Sequence, residues 1–403
     1  MKLSVATFLV AAVKCAAFTT SPTKNSHAAS SVQSVRQKTN QLAMVGATEL
    51  GKPGTAELDV PWEELGFEFR PTNSHVCLTY KAGEWGAPEL VKEPYINIHI
   101  GATALHYGQA CFEGLKAFAH EDGSVHIFRP DENAKRMQSS CERTMMASLP
   151  TEKFMEAVNT AVRDNIEYVP PYGSGGALYI RPLLFGSGPR IGLQPADEYT
   201  FLCLVMPVGD YYKGGLAKPV DGIIVKGYDR AAPQGVGHVK VAGNYAADLL
   251  PNSLSKQQGF PIGLYLDAKT QTMVEEFSTS NFVGINVEEN KFVTPKSGSV
   301  LPSITNKSLM TIAKDEGLTV EAREIPLEEL ETFDEVLAVG TAVVVTPVGS
   351  ITMLGKDETN TKRYKFGENS EEVGAVTQRL YDKVRAIQNG EVEDKYGWNF
   401  KVT

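Results

Sequence analysis

The sequence predicts an α+β protein of two domains, and three observations carry that reading. Its 403 residues exceed what one small core usually accommodates. Apolar stripes at helical spacing are interspersed with short runs rich in aromatic and β-branched residues. A glycine-rich break, Val208-Gly209-Asp210-Tyr211-Tyr212-Lys213-Gly214-Gly215, interrupts the pattern near the middle. Residues 46–207 therefore read as an N-terminal domain, 208–215 as an inter-domain loop and 216–403 as a C-terminal domain.

The first 45 residues read as an address. A basic start at Met1-Lys2 precedes an apolar run from Leu3 to Val13, and Ala16-Ala17 before Phe18 offers a small-residue cleavage site. Residues 18–45 are rich in Ser and Thr, and no acid occurs before Glu49, which is the composition of a transit peptide. Residues 1–17 are thus expected to be a signal peptide and 18–45 a transit peptide. This pairing resembles the two-part presequences of algae with complex plastids; mitochondrial import is the alternative. Removing residues 1–42 takes five Lys/Arg and no acid, which leaves a net charge of -14.

The elements follow in order. Residues 96–128 read as strands around a Gly-rich loop. Pro130-Asp131-Glu132 opens a helix, with acids near the positive end of its dipole, and Ala134, Met137, Cys141 and Met145 form its apolar face. A second helix follows Pro150-Thr151, carries Phe154, Ala157, Val158, Ala161, Val162 and Ile166, and stops before Pro170. Ala177 to Leu184 and Tyr199 to Val208 read as strands. In the second half, Ser303 to Glu316 reads as a helix closed by Gly317. Glu371 to Gln388 reads as another, with Val373, Val376, Leu380, Val384 and Ile387 inward.

Composition narrows the function. A net charge of -9 and the absence of a Lys/Arg-rich run argue against nucleic acid. No apolar stretch reaches the roughly 18 residues of a membrane span, so no membrane role is expected of the mature chain. The five cysteines form no CxxC pair, so neither a disulfide framework nor a metal site is expected; Cys77, Cys111, Cys141 and Cys203 read as packing residues.

One segment stands out chemically: Gly235-Val236-Gly237-His238-Val239-Lys240-Val241-Ala242-Gly243-Asn244-Tyr245. Small residues crowd a single lysine. In a tight apolar turn an amine loses solvation and its pKa falls toward neutrality, which prepares it to attack an aldehyde. The alternative is a surface lysine in a Gly-rich loop. Elsewhere, Arg129 and Arg136 offer guanidinium forks suited to phosphate. Arg181, inside the apolar run Tyr179-Ile180-Arg181-Pro182-Leu183, needs either a structural partner or a ligand. Glu275-Glu276 precedes Phe277-Ser278-Thr279-Ser280-Asn281. Leu301-Pro302-Ser303-Ile304-Thr305 opens a helix, whose free amides suit an anion. Gly340-Thr341-Ala342 ends a strand.

Lys240-x-x-Gly243-Asn244-Tyr245, taken with these segments and with His106-Tyr107-Gly108-Gln109-Ala110-Cys111-Phe112-Glu113-Gly114, resembles the branched-chain amino-acid aminotransferase group of fold-type IV pyridoxal-phosphate enzymes. The resemblance spans roughly residues 95 to 350. It implies a smaller N-terminal α/β domain and a larger β-barrel-like C-terminal domain, with pyridoxal 5'-phosphate between them. Lys240 is then the catalytic residue and the Schiff-base lysine. Arg136, Tyr245, Glu276, Ile304, Thr305 and Thr341 hold the cofactor, with Glu276 rather than Glu275 beside the ring nitrogen. Tyr107, Phe112, Tyr179, Arg181 and Ala342 line the substrate site. Phe277 and Ser278 replace small residues found in many relatives, so contacts near the ring are expected to differ. Val343 and Thr346 stand where some animal relatives carry a redox CxxC, so no switch of that kind is expected.

The implied reaction is ping-pong exchange of an amino group between Leu, Ile or Val and 2-oxoglutarate, giving branched-chain 2-oxo acids and glutamate, in a homodimer or larger assembly. Lys240 would carry the proton between the substrate Cα and the cofactor. D-amino-acid aminotransferase and aminodeoxychorismate lyase share the fold and are the nearest rivals; a non-catalytic cofactor-binding protein is the alternative of a different class.

Overall fold

In the computed structural model the chain is described over residues 51–209, 216, 218–356 and 360–403. The expected signal and transit peptides, Cys15 and residues 210–215 of the expected inter-domain loop lie outside the described residues.

The first half builds an antiparallel sheet with helices on it. Its elements are β1 (His75–Lys81), β2 (Glu84–Trp85), β3 (Glu89–Val91), α1 (Thr103–Tyr107), β4 (Ala110–Phe112), β5 (Leu115–Ala119), β6 (Val125–Phe128), α2 (Pro130–Arg143), α3 (Thr151–Asp164), β7 (Ala177–Gly186) and β8 (Tyr199–Val208). The second half supplies β9 (Val220–Ile224), α4 (Ala242–Gln257), β10 (Ile262–Leu266), β11 (Val274–Phe277), β12 (Asn281–Asn286), β13 (Lys291–Pro295), α5 (Ile304–Asp315), β14 (Thr319–Arg323), β15 (Glu335–Gly340), β16 (Val344–Met353), β17 (Lys362–Lys365), α6 (Ala375–Gln388) and β18 (Asn399–Lys401).

The first sheet runs β18-β6-β5-β7-β8-β1-β2, with β3 on β1 and β4 on β7. Its last strand in sequence, β18, returns from the far end of the chain to pair with β6. The second sheet runs β11-β10-β9-β16-β15-β12-β13-β14, and a further pairing of β11 with β12 closes six strands into a ring. Closure removes open edges from that part of the sheet. Phe277, Phe282, Phe333 and Ile351 fill one core of this sheet, while α5 and α6 cover another with Leu309, Ile312, Leu380 and Val384.

The helical stripes bury as their spacing demands. In α2, Ala134, Met137 and Cys141 are buried; in α3, Phe154, Ala157, Val158, Ala161 and Val162 are. They pack on Val76, Leu115, Ile180 and Phe201 of the sheet.

Three expectations need correction. Met145 does not extend the face of α2. The helix stops at Arg143, Thr144 Oγ1 bonds back to the Ser140 carbonyl, and Met145 takes φ +53° and is 70% exposed while Met146 turns inward. The last long helix starts at Ala375, four residues later than expected, and leaves Val373 outside it. The carboxylate of Glu335 accepts the Val376 and Thr377 amides, a cap supplied by a distant strand. The stretch 96–128 is not strands throughout: it opens as a loop and contains the short helix α1 before β4 begins.

Candidate active site

Lys240 sits where three elements meet. It stands two residues before α4, and both of its backbone polar groups are held: its N–H donates to Ser140 Oγ of α2 (2.9 Å), and its carbonyl accepts the Phe112 N–H of β4 (3.1 Å). Small residues come before it because there is no room for larger ones. A Cβ on Gly237 would lie 2.1 Å from the Ser299 carbonyl oxygen. The side chain points into a cavity of about 630 Å³ lined by residues of both sheets, including Phe112, Arg136, Tyr179, Arg181, Glu276 and Thr341.

Within the cavity the amine donates to the Tyr245 hydroxyl (2.6 Å) and lies 4.7 Å from the Phe112 ring centroid. Burial brings its pKa down to about 7, the Arg136 and Arg181 charges push the same way, and Glu113 opposes them. Burial also pushes the Tyr245 phenol up to about 12, so it stays protonated. A neutral amine beside a neutral phenol is the state a nucleophile and proton carrier needs.

Glu276 and Glu275 part company, as neighbours on a strand must. Glu276 lines the cavity, ion-pairs with Arg230 (2.6 Å) and accepts the Leu301 amide (3.0 Å). Burial pushes it up to about 7 against the pull of Arg230. Glu275 is instead taken up by the Ser297 and Ser299 hydroxyls. Phe277 turns away into the barrel core, 1% exposed.

The arginines differ in how their charge is used. Arg136 is gripped by Glu113 through two bonds (Nε–Oε1 2.8 Å, Nη2–Oε2 2.6 Å) and donates to the Pro302 carbonyl. A guanidinium has five N–H donors, so two remain for a ligand. Glu113 is fully buried and further fixed by Asn133. Arg129 is not at the cavity: it stacks on Trp398 and donates to Ser308. Among the described residues Arg181 donates only to the Tyr179 hydroxyl (3.2 and 2.7 Å), and it lies over the rings of Phe112 and Tyr179. Among the described residues no carboxylate pairs with it. That hydroxyl sits so close to Gly114 that a Cβ there would approach within 2.4 Å.

Thr341 and Ala342 line the same cavity, and the Ala342 carbonyl accepts Lys116 Nζ (2.7 Å) from β5. Ile304 and Thr305 line a small adjoining crevice with Gly114 and Thr341. They form the first turn of α5, whose leading amides have no partner within the helix.

Tyr107 is the expected site residue that this chain does not bring to the cavity. It lies on α1, 44% exposed, with its hydroxyl on the Ile191 carbonyl. Sequence reasoning assigned no role to Glu113, Arg230, Lys116 or Phe67, the last of which lines the cavity edge-on to Tyr179. Glu113 lies within the quoted motif His106 to Gly114 and Lys116 just beyond it, which was the available signal; Arg230 and Phe67 stand in unremarkable surroundings.

The donor set suits a phosphorylated pyridine aldehyde. It has an amine depressed to neutrality, a buried carboxylate across the cavity, and an arginine, a hydroxyl and helix-start amides for a phosphate.

The comparisons agree. Residues 110–351 match the family model described as amino-transferase class IV. The chain is 46% identical over 350 residues to a branched-chain-amino-acid aminotransferase of Haemophilus influenzae, spanning 85% of this chain and 99% of that one. A chloroplastic branched-chain-amino-acid aminotransferase of Arabidopsis thaliana is 41% identical over 350 residues, 86% of this chain and 81% of that one. Among solved structures, the branched-chain amino acid aminotransferase of Escherichia coli superimposes with a TM-score of 0.68 at 26% identity, covering 82% of this chain and 100% of that one. The branched-chain amino acid aminotransferase of Thermobaculum terrenum, solved in its PLP-form, shares the fold: its TM-score is 0.67 at 20% identity, covering 82% and 99%. With the family pattern matched over more than half its length and relatives above 40% identity over most of it, the chain belongs to the class IV aminotransferases.

Proposed function

We propose that this chain is a branched-chain amino-acid transaminase that exchanges an amino group between L-leucine, L-isoleucine or L-valine and 2-oxoglutarate. The observation that carries the reading is Lys240: an amine held near neutrality in a cavity that pairs an apolar wall, Phe67, Phe112 and Leu204, with the uncommitted charge of Arg181. The wall suits a branched aliphatic side chain, and Arg181 suits a carboxylate.

Pyridoxal 5'-phosphate, when bound, supplies the electron sink that the exchange requires. Lys240 is the residue to bond it. Arg136, Thr341 and the start of α5 at Ile304 and Thr305 would take its phosphate, and Tyr245 and Glu276 would hold the ring. Glu276, kept in place by Arg230 and the Leu301 amide, would be the carboxylate to hold the ring nitrogen. Lys240 Nζ moves the proton from the substrate Cα, and the Tyr245 hydroxyl keeps that nitrogen aimed. Tyr179, Arg181 and Ala342 orient the substrate carboxylate.

We read the assembly as a homodimer or larger. Tyr95, Ile100, Leu105, Tyr107, Ile191 and Leu193 are exposed apolar residues on α1, the loop before it and a second loop, the two segments joined by the Ala102–Pro189 bridge, a face that suits a second copy. Residues 1–17 and 18–45 are read as a two-part plastid presequence. The reading is supported by the acid-free composition and by chloroplastic relatives in Arabidopsis thaliana and Humulus lupulus. Residues 46–207 and 216–403 are read as the two domains.

The test is the visible spectrum of the purified chain lacking residues 1–42. Bound cofactor is expected to absorb, L-leucine to shift that band and D-alanine to leave it. Lys240→Ala is expected to lose the response. A band indifferent to every L-amino acid sinks the proposal.

A further inference from the structure

We propose that Cys111 and Cys141 form a dithiol that a peroxide closes to a disulfide, and that closure disturbs the seat of Lys240. The two Sγ atoms lie 3.7 Å apart, one on β4 and one on α2, both fully buried. They are 30 residues apart in sequence and meet only through the fold.

Their placement ties them to the active lysine. Phe112, next to Cys111, donates its amide to the Lys240 carbonyl, and Ser140, next to Cys141, accepts the Lys240 amide. Cys111 itself bridges Val241, the residue after the lysine. Both backbone bonds that seat Lys240 are therefore made by the immediate neighbours of the two cysteines. A disulfide requires a separation of about 2.05 Å. Closing the gap brings the two sulfurs more than an ångström nearer and so pulls on β4 and α2 at the point where they grip the lysine. Misplacement of a catalytic group by about that much typically costs two orders of magnitude in rate.

The chemistry balances with hydrogen peroxide as oxidant. The Cys141 thiolate attacks one peroxide oxygen, forming a sulfenic acid and releasing hydroxide, which takes up the thiol proton as water. The Cys111 sulfur then attacks the sulfenic sulfur, the S–S bond forms, and the sulfenic oxygen leaves as a second water. Two thiols are oxidised by two electrons in total, and one peroxide is reduced to two waters. The adjoining sulfur and burial hold Cys111 well above the usual thiol range, which favours Cys141 as the first attacker; in the contact between them either sulfur can donate. Burial also sets the selectivity: a small neutral oxidant enters as α2 and β4 breathe, whereas a bulky aromatic disulfide reagent does not.

The cross-link stands on geometry alone; its effect on turnover rests on the transaminase reading. The full chain, loaded with cofactor, is treated with hydrogen peroxide, alkylated, and mapped by mass spectrometry without reduction, alongside turnover of L-leucine. The expected result is a cross-link between the peptides holding Cys111 and Cys141, two hydrogens lighter than the free pair. Turnover should fall at least tenfold and return with dithiothreitol. Cys141→Ala, or Cys141→Ser should the first not fold, is expected to keep its turnover under the same peroxide. Both peptides recovered fully alkylated from inactivated enzyme would overturn the proposal, as would a cross-link that leaves turnover unchanged. An untreated enzyme that never turns over L-leucine counts against the transaminase reading instead, and the peptide map still decides the cross-link.

Discussion

Replacing Lys240 by methionine should stabilise the cofactor-free protein, and the gain should shrink as the pH rises. Methionine keeps most of the side-chain volume and removes the amine. The folded protein lowers the Lys240 pKa from 10.5 to about 7, chiefly by desolvation. Between those values the unfolded chain holds a proton that the folded chain has released, so the stability of the unsubstituted protein climbs with pH across that window. At about 1.36 kcal/mol per pKa unit, the penalty removed by the substitution is about 4 kcal/mol at pH 7 and about 1 kcal/mol at pH 10. These are ceilings, because Lys240 keeps part of its surface open to the cavity, where water restores some solvation. The assay is urea unfolding of both cofactor-free proteins at pH 7 and pH 10. Comparing the two pH values cancels packing differences between lysine and methionine, which do not titrate. Equal stabilities at pH 7, or a gain that persists unchanged at pH 10, would refute the claim that burial rather than local contacts depresses this amine.

Three further substitutions probe the groups around it. Glu276→Gln leaves Arg230, whose side chain is 7% exposed, without its counter-charge; a stability loss of about 3–5 kcal/mol in urea is expected, together with a sharp fall in turnover. Glu113→Gln should cost a similar amount, because Arg136 loses a bidentate partner. Equilibrium dialysis should also show weaker retention of cofactor as the guanidinium loosens. Lys116→Met removes the charged donor to the Ala342 carbonyl and should raise KM for both substrates by about tenfold, while the visible spectrum stays that of the parent. A changed spectrum with an unchanged KM would place Lys116 outside substrate positioning.

How far the sequence reached depends on the separation of the interacting groups. Lys240 and Tyr245 are five residues apart and meet through a single hydrogen bond, so a linear motif contains their geometry. Tyr179 and Arg181 are two apart on β7 and likewise bond each other. Glu113 and Arg136 are 23 apart and Arg230 and Glu276 are 46 apart; nothing in either local stretch announces the partner. The same rule explains the misplaced helix start. Glu371-Glu372 has the composition of a first turn, but the cap on α6 comes from Glu335, 41 residues upstream. Met145 fails for a local reason, since period alone does not register the Thr144 back-bond that ends α2.

That division has a physical basis. Groups that act on a ligand must keep some bonding capacity unspent, and a cation in an apolar run, such as Arg181, which pairs with no carboxylate among the described residues, hints at that surplus in the sequence itself. Groups that hold others in place spend their capacity on them, as Glu113 does on Arg136 and Arg230 on Glu276. Each such pair is neutral as a unit, so once buried it leaves little imprint on charge, hydropathy or spacing. It becomes visible only when the fold brings its two halves within bonding distance. The cavity's chemistry follows from the sum. Arg136 and Arg230 are each matched by a carboxylate. Among the described residues Arg181 pairs with no carboxylate, and on the transaminase reading it and the depressed Lys240 would meet an incoming amino acid, one at its carboxylate and the other at its Cα proton.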